Sequence, residues 1–304
     1  MSSRAVAADA APSSVLPGLA LATAGAIAFS GKAIIVKLAY RHGVDAVTLI
    51  MFRMLFALPL FVALAWWAGR GKPPLARRDW MAIAGLGFSG YYLASFLDFA
   101  GLAYVTASFE RLVLYLNPTI VLLLGWVLFG RRATARQLIA MAVSYSGVLL
   151  VFGHELHFAG PDVVLGAALV FGSALSYAVY LVYSGEEVKR LGSMRLTGLA
   201  TSVACVLCIV QFLVLRPVSV ALTVAPEVIW LSVLNATLCT FAPVLMIMMA
   251  IERIGSTLTA QTGMLGPMST ILMGVWLLGE PFTVWVAAGT VLVLAGVWLL
   301  ARWR

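Results

Sequence analysis

The chain has 304 residues, of which 62% are hydrophobic and only 11% charged, with a net charge of +8 and a mean hydropathy of +1.03. A water-soluble domain carries about 25% charged residues, so a soluble globular fold is excluded and lipid must be the main solvent. The positive charge is not a nucleic-acid footprint, because most of the basic residues stand in short connectors between apolar runs, where headgroups and topology account for them.

Residues 1–17 are rich in Ala and Ser and are expected to form a disordered cytoplasmic tail. Runs long enough to cross a hydrocarbon core of about 30 Å then follow at 18–39, 46–68, 80–101, 105–129, 133–153, 161–184, 194–215, 226–250, 256–278 and 283–302. The expected fold is therefore all-α, an integral membrane protein of ten transmembrane helices. The first run is longer than the apolar region of a cleaved signal peptide and is followed by further spans.

Taken in order, the helices place polar groups at helical spacing. The first aligns Gly25, Phe29, Lys32 and Val36 on one face, and the second carries Arg53. The third aligns Tyr91, Ser95 and Asp98, and the fourth carries Glu110, Arg111, Asn117 and Pro118. On the sixth, Ser173, Tyr177, Tyr180 and Ser184 share a face, and on the ninth Thr257, Gln261 and Met264 precede Gly266 and Pro267. Cys205 and Cys208 form a C-x-x-C pair inside an apolar run, with Cys239 as the only other cysteine, so ordinary helix-packing cysteines are expected and no disulfide framework. His42, His154 and His157 fall in expected outer connectors, where solvated side chains rather than metal ligands are expected.

Orientation follows from the basic residues. With the N-terminus inside, fourteen of them, including Arg70, Lys72, Arg77, Arg78, Lys189 and Arg190, face the cytoplasm, against Lys37, Arg41 and Arg216 outside. Both termini are thus expected in the cytoplasm. Lys32, Arg53, Asp98, Glu110 and Arg111 remain within spans, all toward the outer halves, where an ionisable side chain needs a partner or a wet cavity. They predict a hydrated vestibule open to the outside, with Lys32 at its inner end and Arg53 and Arg111 in its wall; a Lys32–Asp98 pair that only holds helices together is the structural alternative to a substrate role for Lys32.

The sequence matches itself at an offset of 149 residues. Pro118 falls on Pro267, Gly125 on Gly274, Gly130 on Gly279, Thr134 on Thr283 and Gly147 on Gly296, without a gap. Five helices per copy means that successive copies enter the membrane from opposite sides, giving inverted repeats at 18–153 and 154–304. Pro118 and Pro267 each remove a backbone hydrogen bond at equivalent positions and, with Gly266, are candidate hinges near a midplane site.

These residues resemble the drug/metabolite transporter superfamily in its EamA-type branch. The resemblance rests on Pro118 followed by Gly125 and Phe129–Gly130, on Gly266–Pro267 followed by Leu277–Leu278–Gly279–Glu280–Pro281, and on Arg53 within FRMLFALPL. The first copy departs from the pattern, with Arg131–Arg132 where the second has Glu280–Pro281. Within the superfamily the chain is most similar to bacterial exporters of aromatic amino acids. That resemblance implies a monomer-sized transport unit in the bacterial inner membrane, no ATPase and a path between the repeats.

The expected function is secondary export of small amphipathic metabolites, with aromatic amino acids first, by alternating access. Lys32 would attract a carboxylate, and Phe29, Tyr91 and Tyr180 would offer apolar and π surface, with Ser95, Asp98, Glu110, Asn117, Tyr177 and Gln261 along the path. A multidrug or other metabolite exporter of the same fold is the alternative, and a scaffold without transport leaves the repeat unexplained. No motif for a lipid-phosphate enzyme, phosphate loop or metal site is found, so neither catalysis nor a cofactor is expected, and the partners are a small-molecule substrate and membrane lipids.

Overall fold

The computed structural model describes residues 15–130, 134–263 and 265–302. Most of the predicted tail, Arg131, Arg132 and Met264 lie outside the described residues, as do the side chains of Thr257 and Gln261. Among the described residues all regular structure is helical, and Val15–Pro17 already belong to a helix.

The first helices are α1 (Val15–Tyr40), α2 (Ala46–Gly69), α3 (Arg77–Leu86), α4 (Ala94–Leu102), α5 (Ala107–Leu114), α6 (Asn117–Phe129) and α7 (Ala135–Ala159). They are followed by α8 (Asp162–Leu191), α9 (Ser193–Leu215), the short α10 (Val218–Leu222), α11 (Pro226–Ala236), α12 (Ala242–Gly263), α13 (Leu265–Met273) and α14 (Val284–Arg302). Wide π turns join α3 to α4 at Gly87–Leu93 and α11 to α12 at Thr237–Phe241, and a third follows α13 at Gly274–Leu278. Among the described residues nine helical stretches are long and apolar enough to cross a membrane, and Leu265–Leu278 is a shorter apolar helix.

Local chemistry sets the ends. Asp45 accepts from the Val47 and Thr48 amides at the start of α2, and Thr106 accepts from Phe109 at the start of α5. Thr134 and Thr283, one repeat apart, do the same at the starts of α7 and α14, accepting from Gln137 and Val286. Gly130 and Gly279, also one repeat apart, have φ of 63° and 73°, the left-handed conformation that ends a helix and that a side chain would strain.

Small residues let the helices touch. The closest pairs are α1 with α12, α2 with α9, α7 with α14 and α4 with α8. A Cβ on Gly296 would lie 2.1 Å from Ser144 Oγ and one on Gly147 2.7 Å from the Gly289 carbonyl, so α7 and α14 meet backbone to backbone. Large apolar side chains such as Trp66, Trp276 and Val284 stand on the surface at 65%, 86% and 81% exposure, as a lipid-facing exterior requires.

The predicted spans 226–250 and 256–278 are redrawn, because helical backbone continues from Ala242 to Gly263. Contacts trace its course. Gly18, Gly25 and Gly31 of α1 face Ile254, Ile247 and Cys239 in turn, so α12 runs antiparallel to α1. Gly266 then faces Ser30, about 18 Å back along α1 from Gly18 at 1.5 Å per residue. The chain therefore turns back between Ile254 and Gly266 within what is locally helical backbone. Glu252, Arg253, Gly255 and Ser256 form the polar break expected between the spans 226–250 and 256–278, and the turn follows it while the backbone stays helical to Gly263.

Candidate functional site

The site is built where α1, α4, α5 and α13 converge. Lys32 Nζ lies 2.5 Å from Asp98 Oδ2 on α4 and 3.5 Å from Glu110 Oε1 on α5. Arg111 Nε lies 3.9 Å from Glu110 Oε2, and Arg111 Nη2 donates to the Ser30 carbonyl at 3.5 Å. The order along this chain is Asp98, Lys32, Glu110, Arg111, alternating in sign. Phe29 reaches over the two cations, its ring centre 6.0 Å from Lys32 Nζ and 6.0 Å from the Arg111 guanidinium, and is 43% exposed.

Sequence reading placed these charges in an open, hydrated vestibule. The structure closes it. Lys32, Asp98, Glu110, Arg111 and Arg53 are all buried, and Glu110 is wholly so. A charge taken out of water is retained only when paired, and the pairing here is incomplete. Asp98 Oδ1, both Glu110 oxygens, Arg111 Nε and Arg53 Nη1 have no hydrogen-bond partner among the described residues. Arg53 itself donates to Thr240 Oγ1 at 3.1 Å and stacks 5.1 Å from the Phe99 ring centre. The π turn at Thr237–Phe241 presents Thr240, whose hydroxyl also donates to the Asn235 carbonyl five residues back.

The tyrosines form a separate group. Tyr91 and Tyr180 meet edge to face at 5.1 Å with hydroxyls 3.2 Å apart, and Tyr177 stacks on Tyr180 at 5.5 Å. Gly90 makes room for Tyr180, since a Cβ there would lie 2.4 Å from the ring. Tyr91 is seven residues from Asp98, about 10 Å along the helix, with half-buried Ser95 between them. The predicted site is thus two layers, one ionic and one aromatic. Two cavities, of about 650 and 350 Å³, lie between α2 and α9 and between α3 and α8, and neither is lined by the ionic group.

At both prolines the lost backbone hydrogen bond is replaced by a side chain. Pro118 has no N–H for the Leu114 carbonyl, and Asn117 Nδ2 donates to that carbonyl at 2.8 Å. Pro267 has none for the Gly263 carbonyl, and Tyr115 Oη donates to it at 2.5 Å. Ser30 Oγ donates to the Gly266 carbonyl at 2.8 Å, tying this hinge to α1 two residues from Lys32. Asn117, expected on the path, therefore spends its amide on the hinge.

A third group escaped the sequence reading. Glu280 accepts from the Ala107 amide at 2.7 Å, the Ser108 amide at 3.2 Å and Ser108 Oγ at 2.8 Å, so it caps α5 across 172 residues of sequence. Beside it Glu155 accepts from Thr106 Oγ1, Lys37 donates to the Val105 carbonyl at 2.8 Å and Arg41 to the Leu278 carbonyl at 2.6 Å. Glu280 stood in the quoted motif, but nothing local says which helix it caps. His154 and His157, expected in a connector, sit in the last turns of α7, with His154 stacked on Trp285 at 6.1 Å. Cys205, Cys208 and Cys239 are free and buried.

Comparison with known proteins supplies what geometry cannot. A solved crystal structure of a protein shares the fold over 94% of this chain and 97% of its own, with a TM-score of 0.62 at 17% identity. The transporter YcbK of Bacillus subtilis, uncharacterized by its own title, is 28% identical over 268 residues, covering 84% of this chain and 83% of the relative. A transporter of Archaeoglobus fulgidus, likewise titled uncharacterized, is 25% identical over 272 residues, covering 89% and 92%. Residues 16–153 and 164–302 each match the EamA-like transporter family, and with two consecutive copies spanning nearly its whole length the chain belongs to that family.

Proposed function

We propose that this membrane transporter is a secondary exporter of small amphipathic metabolites, with aromatic amino acids as its first candidates, working by alternating access between two inverted five-helix repeats. The observation that carries the reading is the buried Lys32 ammonium shared by two carboxylates against the Gly266–Pro267 hinge. An ammonium so placed is a ready partner for a carboxylate cargo, and Phe29 lies over it to receive an aromatic ring.

The inverted arrangement is supported by the way helices pair. Exchanging the two halves turns the contact of α1 with α12 into that of α8 with α4, and the contact of α1 with α13 into that of α8 with α6. The pairs α2 with α9 and α7 with α14 map onto themselves. Together with the turn of the chain after Ile254, this pattern fits ten crossings, with Leu265–Leu278 as the second part of a ninth, broken helix. In this reading both termini are cytoplasmic and the Glu280 end of the bundle faces out.

The test is flux. Purified protein in liposomes is given labelled Phe, Trp, Thr and a neutral sugar, beside Lys32→Ala. Protein-dependent uptake of Phe and Trp that falls at least tenfold in Lys32→Ala is the expected result. Uptake of the sugar but not of Phe or Trp would sink the substrate class. Equal uptake by wild type and variant would remove Lys32 from the path.

A further inference from the structure

Glu110 is held less firmly than Asp98. The Lys32 ammonium sits 2.5 Å from Asp98 and 3.5 Å from Glu110, and neither Glu110 oxygen has a hydrogen bond among the described residues. The charged and titratable surroundings of Glu110 are few. From α1 comes Lys32, from α4 Asp98, and on α5 itself Arg111. Beyond Asp98 stands Arg53 on α2, stacked on Phe99. Helix α13 has no ionisable residue, and α14 has only Arg302 at its far end. Helix α7 offers Arg136 and Tyr145, then His154, Glu155 and His157 in its last turns, with Glu155 committed to Thr106. Helix α8 offers Asp162 at its start, Tyr177, Tyr180 and Tyr183 along it, and Glu187, Lys189 and Arg190 at its end. Glu280 caps the start of α5.

Lys32 and Arg111 set two basic side chains against the two acidic ones of Asp98 and Glu110. A cargo carboxylate that takes the Lys32 ammonium adds a negative charge and strips Glu110 of its nearer cation, in a site closed to water. One of three carboxylates must then be neutralised; Asp98 also loses its hydrogen bond from Lys32 but has Arg53 beyond it, whereas Glu110 is wholly buried and has neither oxygen hydrogen-bonded among the described residues even with Lys32 in place.

We infer, resting on the transporter reading above, that Glu110 is a charge-balancing site that admits a cation together with the cargo carboxylate. A cargo with its own amine supplies the ammonium, which replaces Lys32 beside Glu110. A carboxylate cargo without an amine brings a proton, taken from water on the loading side onto a Glu110 oxygen to give the neutral acid. On the other side the Lys32–Glu110 contact re-forms as cargo leaves, and the proton passes to that side's water. Proton and amine-free cargo travel in the same direction, one for one.

The probes are 3-phenylpropionate and Phe, which differ by the amine. Proton uptake on binding is measured with purified protein in weakly buffered detergent solution carrying a pH indicator. Wild type is expected to take up roughly one proton per bound phenylpropionate and none per Phe, and Glu110→Gln none with either. Equal proton uptake with both probes, or phenylpropionate binding without a proton, overturns the inference. A second arm needs no ligand. In folded Lys32→Gln, infrared spectra at neutral pH are expected to show a protonated carboxyl C=O band that is lost in Lys32→Gln/Glu110→Gln. Absence of that band also overturns the proton site. If the band is present but neither probe binds, the proton site stands and the substrate class under the proposed function fails.

Discussion

The hinge carbonyls show how single side chains make broken helices tolerable in lipid. A carbonyl freed by proline has no water to turn to in a membrane interior, and neighbouring side chains must supply the donor. Asn117 does so for Leu114 and Tyr115 for Gly263, and the second bond crosses between segments 148 residues apart. Tyr115→Phe is therefore expected to destabilise the protein by about 1 kcal/mol, the usual worth of a polar contact between membrane helices. Pro267→Ala restores the backbone donor, so adding it to Tyr115→Phe should recover most of the loss, read as melting temperature in detergent. A full, additive penalty in the double variant would show that the hydroxyl matters for another reason. The ionic residues were legible one by one, since charges inside apolar runs stand out, and the pairing of Lys32 with Asp98 was one of two roles open to Lys32 from sequence. Their closure from water was not legible, because burial depends on how α5 and α13 pack, and hydropathy carries no information on that.

At the scale of elements, the three π turns and the two proline breaks fall in the helices that touch the site, whereas α2, α7, α9 and α14 are unbroken. Gly147, Gly289 and Gly296 bring α7 and α14 backbone to backbone, and in the proposed transport cycle this pair is the strut against which the broken helices move. Glu280 ties the end of the ninth apolar segment to the start of α5, and in the proposed transport cycle that tie is a latch. Its charge-assisted bonds to two amides are worth about 1.5–3 kcal/mol, and at 1.4 kcal/mol per tenfold their loss shifts an open–closed balance by roughly tenfold or more. Glu280→Gln should accordingly speed labelling of a cysteine placed at buried Val105 by a membrane-impermeant maleimide about tenfold. An unchanged rate would mean that the cap only stabilises α5. The repeat was visible in sequence because Pro, Gly and Thr recur at fixed offset with the caps and hinges they build. The latch was invisible, since it joins residues 172 apart, and its counterpart position in the first copy holds Arg131, which cannot accept a backbone hydrogen bond.

For the whole molecule, composition alone placed the chain in lipid, and the described fold and the family agree. Where sequence and structure part is between Ile254 and Leu265, where helical backbone continues past the polar break at Glu252 and Arg253 and leaves only a short apolar helix at Leu265–Leu278. Under the proposed function, the ionic group around Lys32 is the point to which each side of the membrane has access in turn. Phe29 covers that group and is partly exposed, so a cysteine in its place reports on it directly. With Cys205, Cys208 and Cys239 replaced, Phe29→Cys would be labelled in sealed vesicles of both orientations with an impermeant maleimide. Labelling from either side, with reaction at one side blocking the other and Phe slowing both, is the predicted result. Labelling from one side only, at a rate that Phe does not change, would contradict alternating access at this site.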